Sequence, residues 1–502
     1  MANPIPDDLF VFEIANNHMG DVNHGRRIIR DFSAVAKEFP GFRFAFKLQY
    51  RDLDTFIHPR CRGREDVPYI KRFEETRLTR ADFDALIAEM RANGVLTMAT
   101  PFDERSVDVI EEQDLDFIKV ASCSFNDWPL LERIVLSDLP IIASTAGAKL
   151  EDIDRVISFF KHRQKEFAIM HCVGEYPTPE ERLHLNQIDL LKTRYPGVRI
   201  GFSTHEDPAD TDVVKIAMAK GAQIFERHVG VPTDEFALNA YSSTPEEIRD
   251  WLAAATFAKT VNGKSDGRPP ENKIEQASLR SLRRGVFANR DIAEGEVITP
   301  DAVFFAFPPE EGQITANEFS KYSNFIANES IPQQSAISLA NAKYDDVRAL
   351  VWDAAEAVKK LLAESQISVP SGVDLELSHH YGMDRFFEVG LTMITVVNRE
   401  YCKKILVSLP NQLHPEQYHN QKEETFHVLY GDVDLTLNGK TQTFGVGDVI
   451  NIEPEVRHAF ISKTGAVIEE ISSTHHKEDS FYTDESINEN PNRKTLLTYW
   501  MG

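Results

Sequence analysis

The chain has 502 residues, 42% hydrophobic and 27% charged, with 79 acidic against 55 basic side chains and a formal net charge of -24. That length exceeds what one hydrophobic core accommodates and predicts several domains, while the acidic field argues against nucleic acid and anionic membrane surfaces as partners. No basic segment followed by an apolar run opens the sequence, no apolar stretch approaches the roughly 20 residues of a membrane span, and Cys61, Cys123, Cys172 and Cys402 form no CxxC pair, so a cytoplasmic protein with reduced thiols is expected.

From residue 10 to about 230, eight short apolar runs alternate with stretches of helical period: VFEIANN, FAFKLQY, VLTMATP, DFIKVAS, PIIASTA, FAIMHCV, RIGFSTH and IFERHV. Continuous apolar strands separated by amphipathic segments such as HGRRIIRDFSAVAKEF imply parallel pairing with crossover helices. Eight such units predict a (β/α)8 TIM barrel over residues 1 to 262, with an open doubly wound sheet as the alternative. Every run ends in polar residues, and in a barrel these ends converge on one face: Glu13 and Asn16, Lys47 and Gln49, Thr100, Lys119 and Ser122, Ser144, Tyr176, Ser203 and His205, Glu226 and His228.

Lys47 and Lys119 fall at the ends of different apolar strands, with the hydroxyls of Ser122, Ser144 and Ser203 nearby in the predicted fold. A single lysine there would ordinarily be a surface side chain. Two are costly to desolvate without an anion and predict a cradle for a phosphorylated, carboxylated ligand. His205 and His228 end neighbouring strands, where two imidazoles can share a divalent ion with water or substrate completing its shell. A lone histidine would more often be a hydrogen-bonded core residue.

After the helical TPEEIRDWLAAATFAKTV, a polar linker is expected near residues 262 to 275, then a small β-rich module over 276 to 343 that opens with SLRRGVFANRDIAEGEVITPDAV. The remainder, 344 to 502, begins with the helical YDDVRALVWDAAEAVKKLLAES and passes into short strands with LNGK and GVGD turns, the pattern of a small double-sheet barrel.

The strand-end motifs FEIANNHMGD, FKLQY, ATPF, KVAS, STAGA, HCVGEYPTP, GFSTH and FERHV, in that order, resemble the N-acetylneuraminate (sialic acid) synthase family, and SLRRGVFANRDIAEGEVITPDAV is similar to the start of its antifreeze-like (SAF) domain. The resemblance implies a transferase that condenses phosphoenolpyruvate with an open-chain aldose to give a 2-keto-3-deoxy sugar acid. It places phosphoenolpyruvate on Lys47, Thr100, Lys119, Ser122, Ser144 and Ser203, and a divalent Mn or Mg ion on His205 and His228. Glu13, Gln49 and Tyr176 would face the acceptor, with Asn16 and Asn239 beside it, and Glu13 would handle a proton. It also implies a homodimer in which the SAF domain caps a partner barrel. Departures cluster on the acceptor side: Ser124 and Asn239 stand where the family commonly has acidic residues, Gly174 replaces an asparagine, and FFAFPPEEG lacks an arginine. The acceptor expected is therefore a plainer or phosphorylated aldose rather than N-acetylmannosamine, with tolerated drift as the alternative.

PEQYHNQKEETFHVLYG resembles the first cupin motif, with His419 five positions before Glu424 and Gly431 seven after it. The resemblance implies Gln417, His419, Glu424 and His458 as ligands of a second divalent ion (Zn, Mn, Fe or Ni), although Gln417 stands where many cupins carry histidine. HNQKEE also resembles cupin aldose-ketose isomerases, implying a tail that converts a ketose into the aldose the barrel consumes; a metal-free binding or dimerisation module is the alternative. Two further classes compete with a synthase: a cupin isomerase or epimerase carrying a degenerate barrel, and a carbohydrate-binding protein without catalysis.

Overall fold

The computed structural model describes residues 4–263, 267–370, 372–474, 476 and 478–501. Residues 1–269 and 270–502 form two compact units. In the first, β1 (Leu9–Glu13), β2 (Arg43–Tyr50), β3 (Leu96–Pro101), β4 (Phe117–Val120), β5 (Ile141–Ser144), β6 (Phe167–Cys172), β7 (Arg199–Ser203) and β8 (Ile224–His228) pair in parallel and close in chain order into the expected barrel. The expected helices form between them. Arg80–Ala92 starts on a Thr79–Asp82 capping box, and Pro245–Asn262 on one between Thr244 and Glu247, each satisfying amide groups that the first helical turn leaves open.

The strands are apolar throughout because both faces are covered, and their period of two separates the faces. Leu9, Val11, Ala45, Met98, Ile142 and Met170 pack in the barrel interior. Their neighbours in sequence, among them Phe10, Phe12, Phe46, Ile118, Ile169 and Phe225, pack outward under the helices. Followed toward the strand ends, the inward parity reaches Glu13, Lys47, Thr100, Lys119, Ser144, Cys172, Ser203, Glu226 and His228. An apolar floor therefore lies beneath a polar mouth.

The second unit opens differently from expectation. Residues 264–266 of the expected linker lie outside the described residues, and Lys273–Ser281 is a helix where linker and strand were expected. The reason is local: the Asn272 side chain accepts from the Ile274 amide and caps a run rich in helix formers. Four short strands follow, β9 (Gly285–Ala288), β10 (Val303–Ala306), β11 (Ser323–Ala327) and β12 (Ala342–Asp346), around a core that includes Val286, Ile298, Ile314 and Phe325.

Helix Arg348–Ser365 buries Val351, Ala354, Ala355, Val358, Leu361 and Leu362, one stripe at helical spacing, against the sheet that follows it. That region is a double sheet built from β13 (Leu375–Ser378), β14 (Leu391–Asn398), β15 (Tyr401–Ser408), β16 (Leu413–Tyr418), β17 (Glu424–Tyr430), β18 (Val433–Leu437), β19 (Lys440–Phe444), β20 (Val449–Ile452), β21 (His458–Ile461), β22 (Ala466–Ser473), β23 (Phe481–Tyr482) and β24 (Lys494–Leu497). One layer orders β20-β17-β22-β15-β14-β13-β24 and the other β19-β18-β21-β16-β23. The Tyr322 hydroxyl meets Thr495 Oγ1 at 2.6 Å and joins the small β module to this double sheet.

One buried ion pair holds the end of β8 against the loop after β7. Arg227, on the outward parity, donates to Glu206 at 2.6 Å and to the Pro208 carbonyl at 3.1 Å, beneath the Trp251 ring. Both charges are fully buried, so removing one strands the other in a medium that cannot solvate it. Arg227→Ala is expected to cost about 3–5 kcal/mol, measured as a lower urea midpoint; an unchanged midpoint contradicts this account.

Candidate functional site

At the barrel mouth, β2, β4 and β8 bring three charged groups to one point. Lys47 donates to Glu226 Oε1 at 2.8 Å and also pairs with Glu13; Lys119 donates to the same Glu226 oxygen at 3.2 Å and to Ser144 Oγ at 2.7 Å. Ser203 donates to Glu226 Oε1 at 3.1 Å. All four charged side chains are at most 5% exposed. The sequence reading gives Glu226 no role beyond a polar strand end, yet it is the residue on which both lysines meet.

Burial lowers the Lys47 ammonium to about 7, with Lys119 acting in the same direction and Glu226 opposing. Burial alone would raise the Glu226 carboxyl, but Lys119 and Lys47 hold it well below the usual carboxylate range. An ammonium has three donors. Each lysine uses two here, so each retains one for a ligand. Glu226 Oε2 and Thr100 Oγ1 are buried without a hydrogen-bond partner, and such orphans ordinarily have a ligand or water to satisfy them.

His205 and His228 lie beside this cluster with ring centroids 5.4 Å apart. His205 Nδ1 is 2.9 Å from the Val173 carbonyl, which fixes the tautomer with its lone pair on Nε2. Burial lowers His205 to about 4 and His228 well below its usual value, so both rings are neutral ligands near neutral pH. The pair fits a divalent ion whose remaining positions go to water or substrate. The Tyr176 ring is tilted against His205 with centroids 4.1 Å apart, and the ring of Tyr241, which sequence reasoning passed over within ALNAYSS, lies 5.1 Å from that of His228 and 5.2 Å from that of Tyr176.

The other predicted residues surround this centre at varying depth. Ser122 Oγ accepts from the Ala146 amide at 3.1 Å. Gln49 accepts from Arg51 at 3.0 Å, and Asn16 shares a cleft with that pair. Asn239 donates at 3.4 Å to Asn17, itself tied to Val229 and Ser242. An open cleft of about 880 Å³ runs from Ser122 and Cys172 past Gly174 to Tyr176.

In the double sheet, His419, Glu424 and His458 are all buried, and they are the only group of three or more ligating side chains among the described residues with donor atoms within 4.8 Å of one another. His419 and His458 each place Nε2 at 3.3 Å from a Glu424 oxygen, and Gln417 Nε2 is 3.2 Å from His458 Nε2. His419 Nε2 and Glu424 Oε2 lack hydrogen-bond partners, so the donor set fits a divalent ion. Lys422 pairs with Glu424 and, at 3.0 Å, with Glu470, which also takes Ser472 at 3.0 Å and Lys404 at 3.4 Å. Asp479 was not foreseen. Its carboxylate accepts from the amides of Asn420, Gln421 and Lys422, while its carbonyl receives His419 Nδ1. One residue thus fixes both the ligand loop and the tautomer of its histidine.

Three family models match along the chain. Residues 44–266 match the NeuB family, 283–333 the SAF domain and 405–470 the cupin domain. The crystal structure of spore coat polysaccharide biosynthesis protein E from Chromobacterium violaceum is 55% identical with a TM-score of 0.65, covering 68% of this chain and all of that one. N-acetylneuraminate-9-phosphate synthase from Drosophila melanogaster is 26% identical over 55% of this chain and 74% of its own length. N,N'-diacetyllegionaminic acid synthase from Campylobacter jejuni is 23% identical over 66% and 98%. With the barrel, its polar mouth and both appended modules accounted for, the chain belongs to the NeuB family of synthases and carries an SAF and a cupin domain.

Proposed function

We propose that the barrel condenses phosphoenolpyruvate with an open-chain aldose. C3 of phosphoenolpyruvate bonds to the aldehyde carbon, water adds at the resulting cationic C2, and C–O cleavage releases inorganic phosphate and leaves a 2-keto-3-deoxy sugar acid. The observation that carries this reading is the meeting of two buried ammonium groups on Glu226 beside a neutral imidazole pair. The unused donors of Lys47 and Lys119, with the hydroxyls of Thr100, Ser122, Ser144 and Ser203, bind the phosphate and carboxylate. A divalent Mn or Mg ion on His205 and His228 would polarise the aldehyde oxygen. Glu13, buried against Lys47, handles the proton of the attacking water, and Gln49 and Tyr176 orient the sugar.

Lys119→Ala leaves Glu226 paired with Lys47, so the fold should survive. Phosphate release from phosphoenolpyruvate is expected to fall by about 10²–10³-fold, the size of effect seen when one charge-stabilising donor is removed. Activity near that of the parent protein would remove Lys119 from the reaction.

The acceptor half supports a sugar other than N-acetylmannosamine. Gly174 lines the open cleft, and a Cβ there would meet only the Ala146 side chain, at 3.7 Å, so the cleft has room where the family's usual asparagine would project. In a phosphate-release assay across aldoses, N-acetylmannosamine is expected to be a poor acceptor, and strong preference for it refutes this part of the reading.

A second activity is favoured by the unpartnered His419 and Glu424 atoms beside the Lys422–Glu470 pair. The cupin domain holds a divalent ion and interconverts ketose and aldose, Lys422 and Glu470 moving the proton between C1 and C2, so that it supplies the barrel. In the full chain already saturated with Mg²⁺, added Mn²⁺ or Zn²⁺ should raise the melting temperature further and permit aldose formation from a ketose, and Glu424→Ala should abolish that increment and the aldose formation while sparing phosphate release by the barrel. Equal metal responses in the two proteins would sink the site.

A further inference from the structure

The inward parity of β2 continues past Gln49 to Arg51. This guanidinium lies 4.1 Å from the ring centroid of Phe73 and 3.6 Å from that of Phe102. Phe102 follows β3, where its amide donates to the Tyr50 carbonyl at 3.1 Å, and Phe73 comes from helix Pro68–Glu75. Two separate segments therefore clamp one cation between aromatic faces, which hold it without neutralising it. The clamp also fixes the plane of the guanidinium, while Nη2 donates to Gln49 Oε1 at 3.0 Å.

What this cation lacks is a carboxylate in contact, although Asp103 is near enough to favour its charge. Its Nε is buried without a hydrogen-bond partner, and among the described residues no carboxylate pairs with it. Its cationic neighbours are differently placed: Arg77 pairs with Asp54, Arg80 with Asp84 and Glu112, and Arg105 with Asp52. Burial lowers Arg51 to about 10, with Asp103 opposing and Arg72, on the same helix as Phe73 and without an ion pair among the described residues, acting in the same direction. In a protein with a net charge of -24, a clamped guanidinium left without a carboxylate is the local cation that an anionic group would need. Beside it is a cleft of about 110 Å³, shared with Asn16, Gln49, Arg77 and Asp52, whose carboxylate is paired with Arg105, and its size suits an end group better than a whole sugar. Four residues separate Arg51 from Lys47, about 13 Å of strand rise, a distance suited to an extended sugar whose aldehyde lies at the lysines.

We propose that Arg51 is a specificity-determining residue of the barrel, binding the anionic group, phosphate or carboxylate, at the far end of the acceptor aldose. The proposal rests on the condensation reading above. It narrows the acceptor class to aldose phosphates and uronic acids, each of which presents two oxygens to the guanidinium fork.

The test uses the full chain with divalent metal and no phosphoenolpyruvate, and measures calorimetric binding of three probes that differ only at C6: mannose 6-phosphate, mannuronate and mannose. At least one anionic probe should bind about 10- to 100-fold more tightly than mannose, the range of a charge-assisted hydrogen bond, and the stronger of the two identifies which oxyanion the cleft takes. Arg51→Gln should erase that margin and leave mannose binding unchanged, while Arg51→Lys should restore part of it. In turnover, Arg51→Gln should raise KM for the anionic acceptor more than it lowers kcat. Equal binding of all three probes, or an Arg51→Gln variant that weakens mannose as much as the anions, overturns the proposal and leaves Arg51 a structural clamp. Binding is read without turnover, so a barrel that releases no phosphate with any aldose would overturn the condensation reading separately.

Discussion

The barrel mouth depends on removing two ammonium groups from water at the same place. Neither Lys47 nor Lys119 could be buried alone, because desolvating an unpaired ammonium costs several kcal/mol. Glu226 makes the arrangement tenable by accepting from both, and Glu13 and Ser144 supply the remaining partners. The geometry is over-determined: the strands that carry these residues are pinned by the apolar floor beneath and by the outward aromatic layer. A ligand entering the mouth therefore meets charges already oriented, and little reorganisation remains to be done at the moment of reaction.

The two candidate metal centres differ in how complete they are. In the cupin domain, two imidazoles and a carboxylate lie within ligating distance and carry unpartnered atoms, so the protein supplies most of a coordination shell by itself. In the barrel, no third ligating side chain among the described residues lies so close to the two imidazoles. An ion there would draw its other ligands from water and substrate, which is the open arrangement that activating a carbonyl calls for. The same residue types thus serve a nearly closed site and an open one. Asp479 shows the supporting layer in the first case, and the Val173 carbonyl plays that part for His205 in the second.

Global and local charge pull in opposite directions. The acidic surface repels anions at long range, yet the proposed substrates are anionic. Burial resolves this, because charges at the mouth act through a medium of low polarity and are screened little by salt, whereas the surface field decays within about a Debye length. The clamped guanidinium of Arg51 extends the same logic to the rim of the barrel.

Much of this was legible before any coordinates. Apolar runs with period two, separated by amphipathic helices, specify eight barrel strands, and the same period assigns Lys47, Lys119 and His228 to the inner face, because a side chain in a strand has only two directions available. The stretch TPEEIRDWLAAATFAKTV likewise reads as a helix, and the structure starts one at its Pro245. The helix at Lys273–Ser281 was missed because a short stretch with a side-chain cap carries no apolar stripe to reveal it.

What the sequence could not contain is which inward residues meet. Glu226 lies 179 positions from Lys47 and 107 from Lys119; Phe73 and Phe102 reach Arg51 from different connections, and Asp479 meets the Asn420 amide across 59 positions, because β23 pairs with β16. Local periodicity determines direction, since it depends only on backbone geometry within a few residues. Partnership depends on the closure of the barrel and the stacking of two sheets, so the charge hub, the aromatic clamp and the anchored histidine belong to the tertiary structure alone.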